Sequence, residues 1–548
     1  MRTMAAELVT ILYDEGVRHL FVNPVMHTAA LRAALAEAEA AGLPNPQSVL
    51  CVHEHVALYA AHGHHLAGGA PQAVMVQVEG NQVDFGPVLE NAVRDRVPFI
   101  LFSGREEDTA SSNGSRPAPF GPTVCGKWAA DLSQGDLGTL VRRAAQIARA
   151  EPGGLTYVAL RRDALADPAG VPSRRLASPR LPTPDPAALD EMAELLATAD
   201  SPVIIAGRVG RNPSAVHDLA LLAETLGAPV IDIRSRVNLP PGHPLNAAME
   251  APDLLAAADA ILMLDVEVPC PPGLGSLPPH AWVLQIDAEC LKTNLFRWTC
   301  PVEIAVTADT GLTLAPLRTL LADRLTIRQR QVQERRERVE RILRARRESW
   351  RARAVSAEPD DMADAMMAEL QRALPEDAVV LEEAHASRGA ALRQMERWPG
   401  HFFRSTAKSP GWSIGAAMGA RLARPSQPVV AVCDDTAFAY GLPTAAFWSA
   451  HRAGAPFLAV VLNRAPSPTP RPATRQTRPS RQTRQTRSTS RRTTDTGLDS
   501  EVVAMARACG ADAAVVTHPF QVAAAVERLL ATTRDGLCAV LDARLPRS

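Results

Sequence analysis

A chain of 548 residues is too long for one hydrophobic core, and its 46% apolar content can fill roughly two to four. The formal charge of -1, with 21% charged residues, excludes an overall electrostatic pull toward nucleic acid or a membrane surface. Eight cysteines (51, 125, 270, 290, 300, 433, 509 and 538) lack CxxC pairing, which argues against a zinc site or disulfide framework and fits a reducing cytoplasm.

The first residues, MRTMAAELVTIL, have helically spaced apolar positions and soon meet Glu7 and Asp14, so neither a signal peptide nor a membrane span is expected. A helix is predicted over 4–13, then the strand HLFV (19–22) and a turn at Asn23-Pro24. A helix over 28–41 leads to the strand SVLCV (48–52), after which His53-Glu54-His55 opens a helix reaching Leu66. The strands AVMVQV (73–78) and FILFSG (99–104), with a helix near 88–93 between them, continue a βαβα rhythm, which implies a parallel sheet covered by helices. The rhythm returns after Pro202, with PVIIAG, a helix over 214–226, PVID, AILMLD (260–265) and AWVLQID (281–287). Residues 326–355 form a polar helical connector, whose interleaved charges read as a solvated face.

A third unit opens near Asp360 and contains the most informative stretch, 411–464. GWSIGAAMGARLA is a helix packed by Gly415, Ala416 and Gly419; VVAVCDDTAFAYGLPTAAF is a buried strand, an acidic turn and a helix; FLAVVLNRAP is a second buried strand ending at Asn463. In open parallel sheets ligands bind beyond the carboxyl ends of the strands, so Asp434, Asp435 and Asn463 would converge there. Carboxylate and amide oxygens held side by side suit Mg²⁺ or Ca²⁺ bound to a diphosphate. Residues 465–498, rich in Pro, Thr, Ser and Arg, lack the apolar content to offset the entropy of ordering and are expected to form a disordered insertion. The chain closes with helix 501–508, strand 513–516, helix 519–531 and strand 537–542.

These elements resemble the thiamine-diphosphate enzyme family, especially its benzoylformate decarboxylase and acetohydroxyacid synthase group. The likeness also covers HEHVALYAAHGHHLAGG, RVNLPPGHPL with LMLDVEVP, and KSPGWSIGAAMGARLA, and so spans essentially the whole chain. It implies an α/β fold of three doubly wound parallel-sheet domains: pyrimidine-binding (1–175), central (185–325) and diphosphate-binding (359–548), with a helical connector over 326–358. It further implies thiamine diphosphate, Mg²⁺, a 2-oxoacid substrate and a homodimer or homotetramer, with decarboxylation or carboligation as the reaction.

Carried over by position, the resemblance makes Glu54 the activating carboxylate, which by itself reads as a charge on a helix N-terminus. It places His53 beside the site and Gln77 where some members carry a proton-transferring histidine. Asp435 and Asn463 become the metal residues, and Pro410, Gly411, Asp434, Thr436 and Ala437 cofactor-binding positions. Departures are evident: Asp434 and Thr436 stand where the family has glycines, Arg464 where it has a second asparagine, and Val25-Met26 in an Asn-Pro-Gly-Ser turn. Only Gly80 survives of the glycine turn at 79–85. These departures open an alternative, a noncatalytic structural or regulatory relative without cofactor. The histidines 53, 55, 62, 64 and 65 lack acidic or cysteine companions at metal-site spacing and read as helix-surface or core residues. GRVG (207–210) is a weak dinucleotide signal that leaves FAD open.

Overall fold

The computed structural model describes residues 2–546 apart from 24–28, 77–81, 106–125, 133–135, 162–163, 171–172, 234, 249–250, 268–275, 293–299, 406–408 and 465–500. Gln77, Val25, Met26, Gly80 and the insertion expected at 465–498 lie outside the described residues.

Three sheets, parallel throughout, follow one another along the chain. The first contains β1 (His19–Val22), β2 (Gln47–Leu50), β3 (Gln72–Met75), β4 (Phe99–Arg105), β5 (Trp128–Asp131) and β6 (Thr156–Arg161), in the order β2-β1-β3-β4-β6-β5. The central sheet contains β7 (Pro202–Ala206), β8 (Val230–Asp232), β9 (Ala260–Leu264), β10 (Trp282–Asp287) and β11 (Ile304–Thr307), in the order β11-β10-β9-β7-β8. The third contains β12 (Val379–Glu383), β13 (Phe402–Arg404), β14 (Val429–Asp434), β15 (Leu458–Arg464), β16 (Asp512–Val516) and β17 (Ala539–Leu545), in the order β13-β12-β14-β15-β17-β16. The first and third sheets therefore have the same strand order and are topological copies. Strands buried on both faces need continuous apolar sequence, and β14 (VVAVCD) and β15 (LAVVLNR) are buried almost end to end.

Alternate strand residues feed cores on opposite faces. In the first sheet Leu20, Val22, Ile100 and Phe102 pack against one set of helices. Phe21, Val74 and Leu101 join a second cluster that runs on into the third unit through Trp412, Ala431, Cys433 and Val461. Two helices make the join: Glu54–Gly68, which follows β2, and Trp412–Ala423, which follows β13. A Cβ on Gly63 would lie 2.0 Å from the Ala416 carbonyl oxygen, and one on Gly419 would lie 1.8 Å from that of Ala60. The spacing from Gly63 to Gly419 equals that from Ala60 to Ala416, so the contact is related by a local two-fold. Only hydrogen fits at either glycine. Small residues expected merely to pack the helix thus set the separation of two units.

The connector is the helix Gln329–Ala354. It is not solvated all round: Val339 and Leu343 join the central core. Arg335 is buried beside them and donates to the carbonyl oxygens of Ala199 (2.8 Å) and Leu226, capping the ends of two central helices. Among the described residues no helix is long and apolar enough to cross a membrane.

Replacing Gly419 by alanine should force the two helices apart, because a main-chain oxygen cannot rotate out of the way. The expected cost is about 1–3 kcal/mol, read as a lower urea midpoint for the whole chain; an unchanged midpoint would contradict the packing.

Candidate active site

In the third sheet the chain runs outward from β12 to β13 and then returns to the other side of β12 with β14. The switch point, and the crevice it creates beyond the carboxyl ends, therefore lies between β12 and β14. β12 ends in Glu382–Glu383, β14 in Asp434 followed by Asp435, and β15 in Asn463–Arg464. Ala386, in the loop after β12, donates its N–H to Asp434 Oδ2 at 3.2 Å and so bridges the crevice.

Asp434 is buried and spends its other oxygen on the N–H of Ala437 at 2.8 Å, capping the short helix Asp435–Tyr440. Asp435 and Thr436 are half-buried at the start of that helix, and the Thr436 N–H donates to Asp435 Oδ1 at 2.9 Å. Asn463 is buried and donates its amide Nδ2 to Asp542 Oδ1 at 3.0 Å. A carboxylate accepts only, so the amide nitrogen must face Asp542, which leaves the Asn463 oxygen for a ligand. Arg464 takes another direction and donates its Nε to Ser387 Oγ at 3.2 Å.

Pro410 is half-buried and Gly411 buried at the head of the Trp412 helix. Gly411 has φ +102°, and a Cβ there would lie 2.6 Å from the Tyr440 carbonyl carbon, so glycine is required on both counts. Glu383, buried to 2% exposure, holds the helix from below. Its oxygens accept the N–H groups of Trp412 (3.1 Å) and Ser413 (2.8 Å). Burial pushes the Glu383 carboxyl up to about 8 against the pull of those two donors. The Trp412 indole Nε1 donates to His62 Nδ1 at 3.2 Å, and His62 Nε2 lies 3.0 Å from Asp95 Oδ2. With Nδ1 accepting, the proton sits on Nε2. His62 is thus a buried link between units.

Glu54 begins its helix, 23% exposed, with Oε2 3.6 Å from His53 Nδ1. His53 caps the same helix by accepting the His55 N–H at 3.2 Å. Just before them the Val52 N–H donates to Ser449 Oγ (3.4 Å), docking this turn on the third unit. The residues fit a diphosphate with a divalent cation: Asp435 and the Asn463 oxygen offer hard donors at the strand ends. Glu382 Oε2, buried on the Asp434 face of the sheet, has no hydrogen-bond partner among the described residues. No group of three or more His, Cys, Asp or Glu could hold a metal unaided among those residues, so the phosphate oxygens would have to complete the coordination.

The central crevice differs. A Cβ on Gly207 would lie 2.2 Å from the Asp265 carbonyl oxygen and one on Gly210 2.1 Å from that of Val237, so the GRVG glycines serve the chain's own packing. Arg96, from the first unit, reaches Asp287 (2.9 Å) and Glu267 (3.0 Å), and Lys292 Nζ lies 2.5 Å from Asp287. Burial opposes ionisation of Asp287, yet the Arg96 and Lys292 charges hold its carboxyl below the usual range.

Glu383 and Asp542 escaped the sequence reading. The run AVVLEE carries a strand signal for β12, but nothing local shows that its last carboxylate turns onto a helix some thirty residues away. Because the Glu383 pKa is raised from an ordinary 4.5 to about 8, the folded chain holds this proton more tightly than the unfolded one. Its contribution to stability is present in full below pH 4.5 and is lost as pH rises through about 8. Glu383→Gln should flatten the fall in urea midpoint between pH 5 and pH 8; an unaltered slope would show that this carboxyl does not titrate there.

Three models of the thiamine pyrophosphate enzyme family match the chain: the N-terminal TPP binding domain over residues 2–119, the central domain over 189–317 and the C-terminal TPP binding domain over 384–542. The probable 2-ketoarginine decarboxylase of Pseudomonas aeruginosa is 27% identical over 80% of this chain and 78% of its own. The benzoylformate decarboxylase of the same organism is 26% identical over 84% and 86%. The structure of benzoylformate decarboxylase from Polynucleobacter necessarius shares the fold, with a TM-score of 0.75 at 17% identity over 100% of this chain and 99% of its own. The chain belongs to the thiamine pyrophosphate enzyme family.

Proposed function

We propose that the chain binds thiamine diphosphate with Mg²⁺ and decarboxylates a 2-oxoacid, releasing the product or joining it to an acceptor. The observation that carries this reading is the crevice between β12 and β14, at the switch point of a sheet matched over most of its strands by a TPP binding domain: Asp434 and Asp435 open the helix 435–440 there, and the Gly411 turn packs on that helix's far end at Tyr440. The cofactor, once bound, supplies the electron sink that carbon dioxide release requires. Glu54 holds a proton at the aminopyrimidine ring, and His53 lines the same approach. Asp435 and the Asn463 oxygen hold the metal. Asp434, Thr436 and Ala437 would surround the diphosphate, while Pro410 and Gly411 would support the rest of the cofactor. Gln77 orients the substrate by hydrogen bonding, since an amide cannot shuttle a proton near neutral pH. The chain acts in the cytoplasm as a homodimer or homotetramer, with Glu54 of one copy facing the metal residues of another. FAD is not part of the proposal, because the glycines that would cradle it are packed on backbone.

One observation favours a second reading, a noncatalytic relative. Asp434 adds a buried carboxylate, already satisfied by two N–H groups, where a phosphate would approach. Calorimetric titration separates the two: saturable binding of thiamine diphosphate with Mg²⁺ supports the enzyme, and no heat at millimolar cofactor supports the relative. In the enzyme, Glu54→Gln should retain binding within a few-fold and lower turnover of 2-oxoacids by about 10²–10⁴.

A further inference from the structure

Successive strand residues point to opposite faces, and in-register neighbours share a face. Register pairs Asp434 with Leu462 across β14 and β15, and Val461 with Asp542 across β15 and β17. Arg464 therefore lies on the face of Asp434, and Asn463 on the opposite face with Asp542. The hydrogen bonds agree. Asp434 binds the Ala386 N–H and Arg464 binds the Ser387 hydroxyl, consecutive residues of the loop after β12, while the Asn463 amide nitrogen turns to Asp542. Beyond Leu462, the polar group β15 presents on the Asp434 face is thus a guanidinium.

Arg464 is half-buried, and its one hydrogen bond among the described residues uses Nε. That bond leaves both terminal nitrogens without a hydrogen bond among the described residues, and a planar fork of donors matches two phosphate oxygens. Charge balance calls for such a cation. Glu382, Asp434 and Asp435 stand at these strand ends, and the charges of Arg404 and Arg388 both act on Glu382.

Resting on the reading that the chain binds thiamine diphosphate, we infer that Arg464 is a fixed cation for the diphosphate, so that cofactor binding depends only weakly on a divalent metal. The test is calorimetric titration of thiamine diphosphate into the full chain, with Mg²⁺ and with EDTA. The wild type should lose less than about tenfold in affinity on metal removal, a loss smaller than one charge-assisted hydrogen bond commonly supplies. Arg464→Asn should lose about a hundredfold in EDTA and much less with Mg²⁺, since the amide oxygen can ligate a metal while its NH2 offers a phosphate only uncharged, weaker donors. Arg464→Lys, which keeps the charge without the fork, should fall between them and covers the case in which the asparagine variant misfolds. Wild-type binding abolished by EDTA, or an asparagine variant as tight as wild type in EDTA, would overturn the inference while leaving the proposed function standing. No binding in either buffer would overturn both.

Discussion

The whole arrangement depends on how closely two helix backbones approach at Gly63 and Gly419. Helices usually pack about 8–10 Å apart, a distance set by the side chains between them; here each glycine admits the other helix's carbonyl oxygen instead. The first and third sheets consequently share one apolar cluster, and the strand ends of both units are held at a fixed spacing. The local two-fold makes the requirement reciprocal, because a self-complementary contact needs the small residue on both sides. The buried chain Trp412–His62–Asp95 crosses the same boundary and adds direction to an otherwise nonspecific apolar join.

The central and third units treat the carboxylates at their strand ends differently. In the central unit Asp287 is matched by Arg96 and Lys292, and Arg211 reaches both Asp265 (3.4 Å) and Asp309 (2.9 Å). The crevice there is filled by the chain's own ions, and because Arg96 comes from the first unit these pairs also tie two units together. Breaking a buried pair costs more than forming it gains, so that crevice is committed to structure. In the third unit Glu383 and Asp434 are satisfied mainly by backbone N–H groups. Asp435 remains half-buried and Glu382 retains a buried oxygen without a hydrogen-bond partner. The third crevice thus answers Glu383 and Asp434 with backbone N–H groups, where the central one sets side-chain cations against its own carboxylates.

Much of this architecture was readable from residue order. The strand runs at 19–22, 202–206, 260–264, 429–434 and 458–464 appear where apolar sequence ends at turn residues, and the Gly415–Gly419 helix is where its small residues suggested. Three features were hidden because their cause is tertiary. β12 and its terminal Glu383 matter through a helix that begins after β13, a contact with no local signature. The connector looked solvated because charges dominate its sequence, yet Arg335 works through two carbonyl groups more than a hundred residues away. Asn463 and Arg464 are neighbours in sequence, but the pleat sends them to opposite faces, so a convergence argued from strand ends alone cannot tell which of them meets Asp434.

That pleat also bears on whether the departures at 434 and 464 are decay. Loss of function without selection would leave buried polar groups lacking partners, each costing about 1–3 kcal/mol. Neither side chain is in that state: Asp434 accepts from Ala386 and Ala437, and Arg464 donates to Ser387. The two departures carry opposite charge, share a sheet face and bind consecutive residues of one loop. An added carboxylate alone would repel a diphosphate, and an added guanidinium alone would leave a cation facing the crevice without a matching anion. Together they exchange a glycine-and-amide solution for a carboxylate-and-guanidinium one at little net charge, the pattern of a site rebuilt around a different counter-ion.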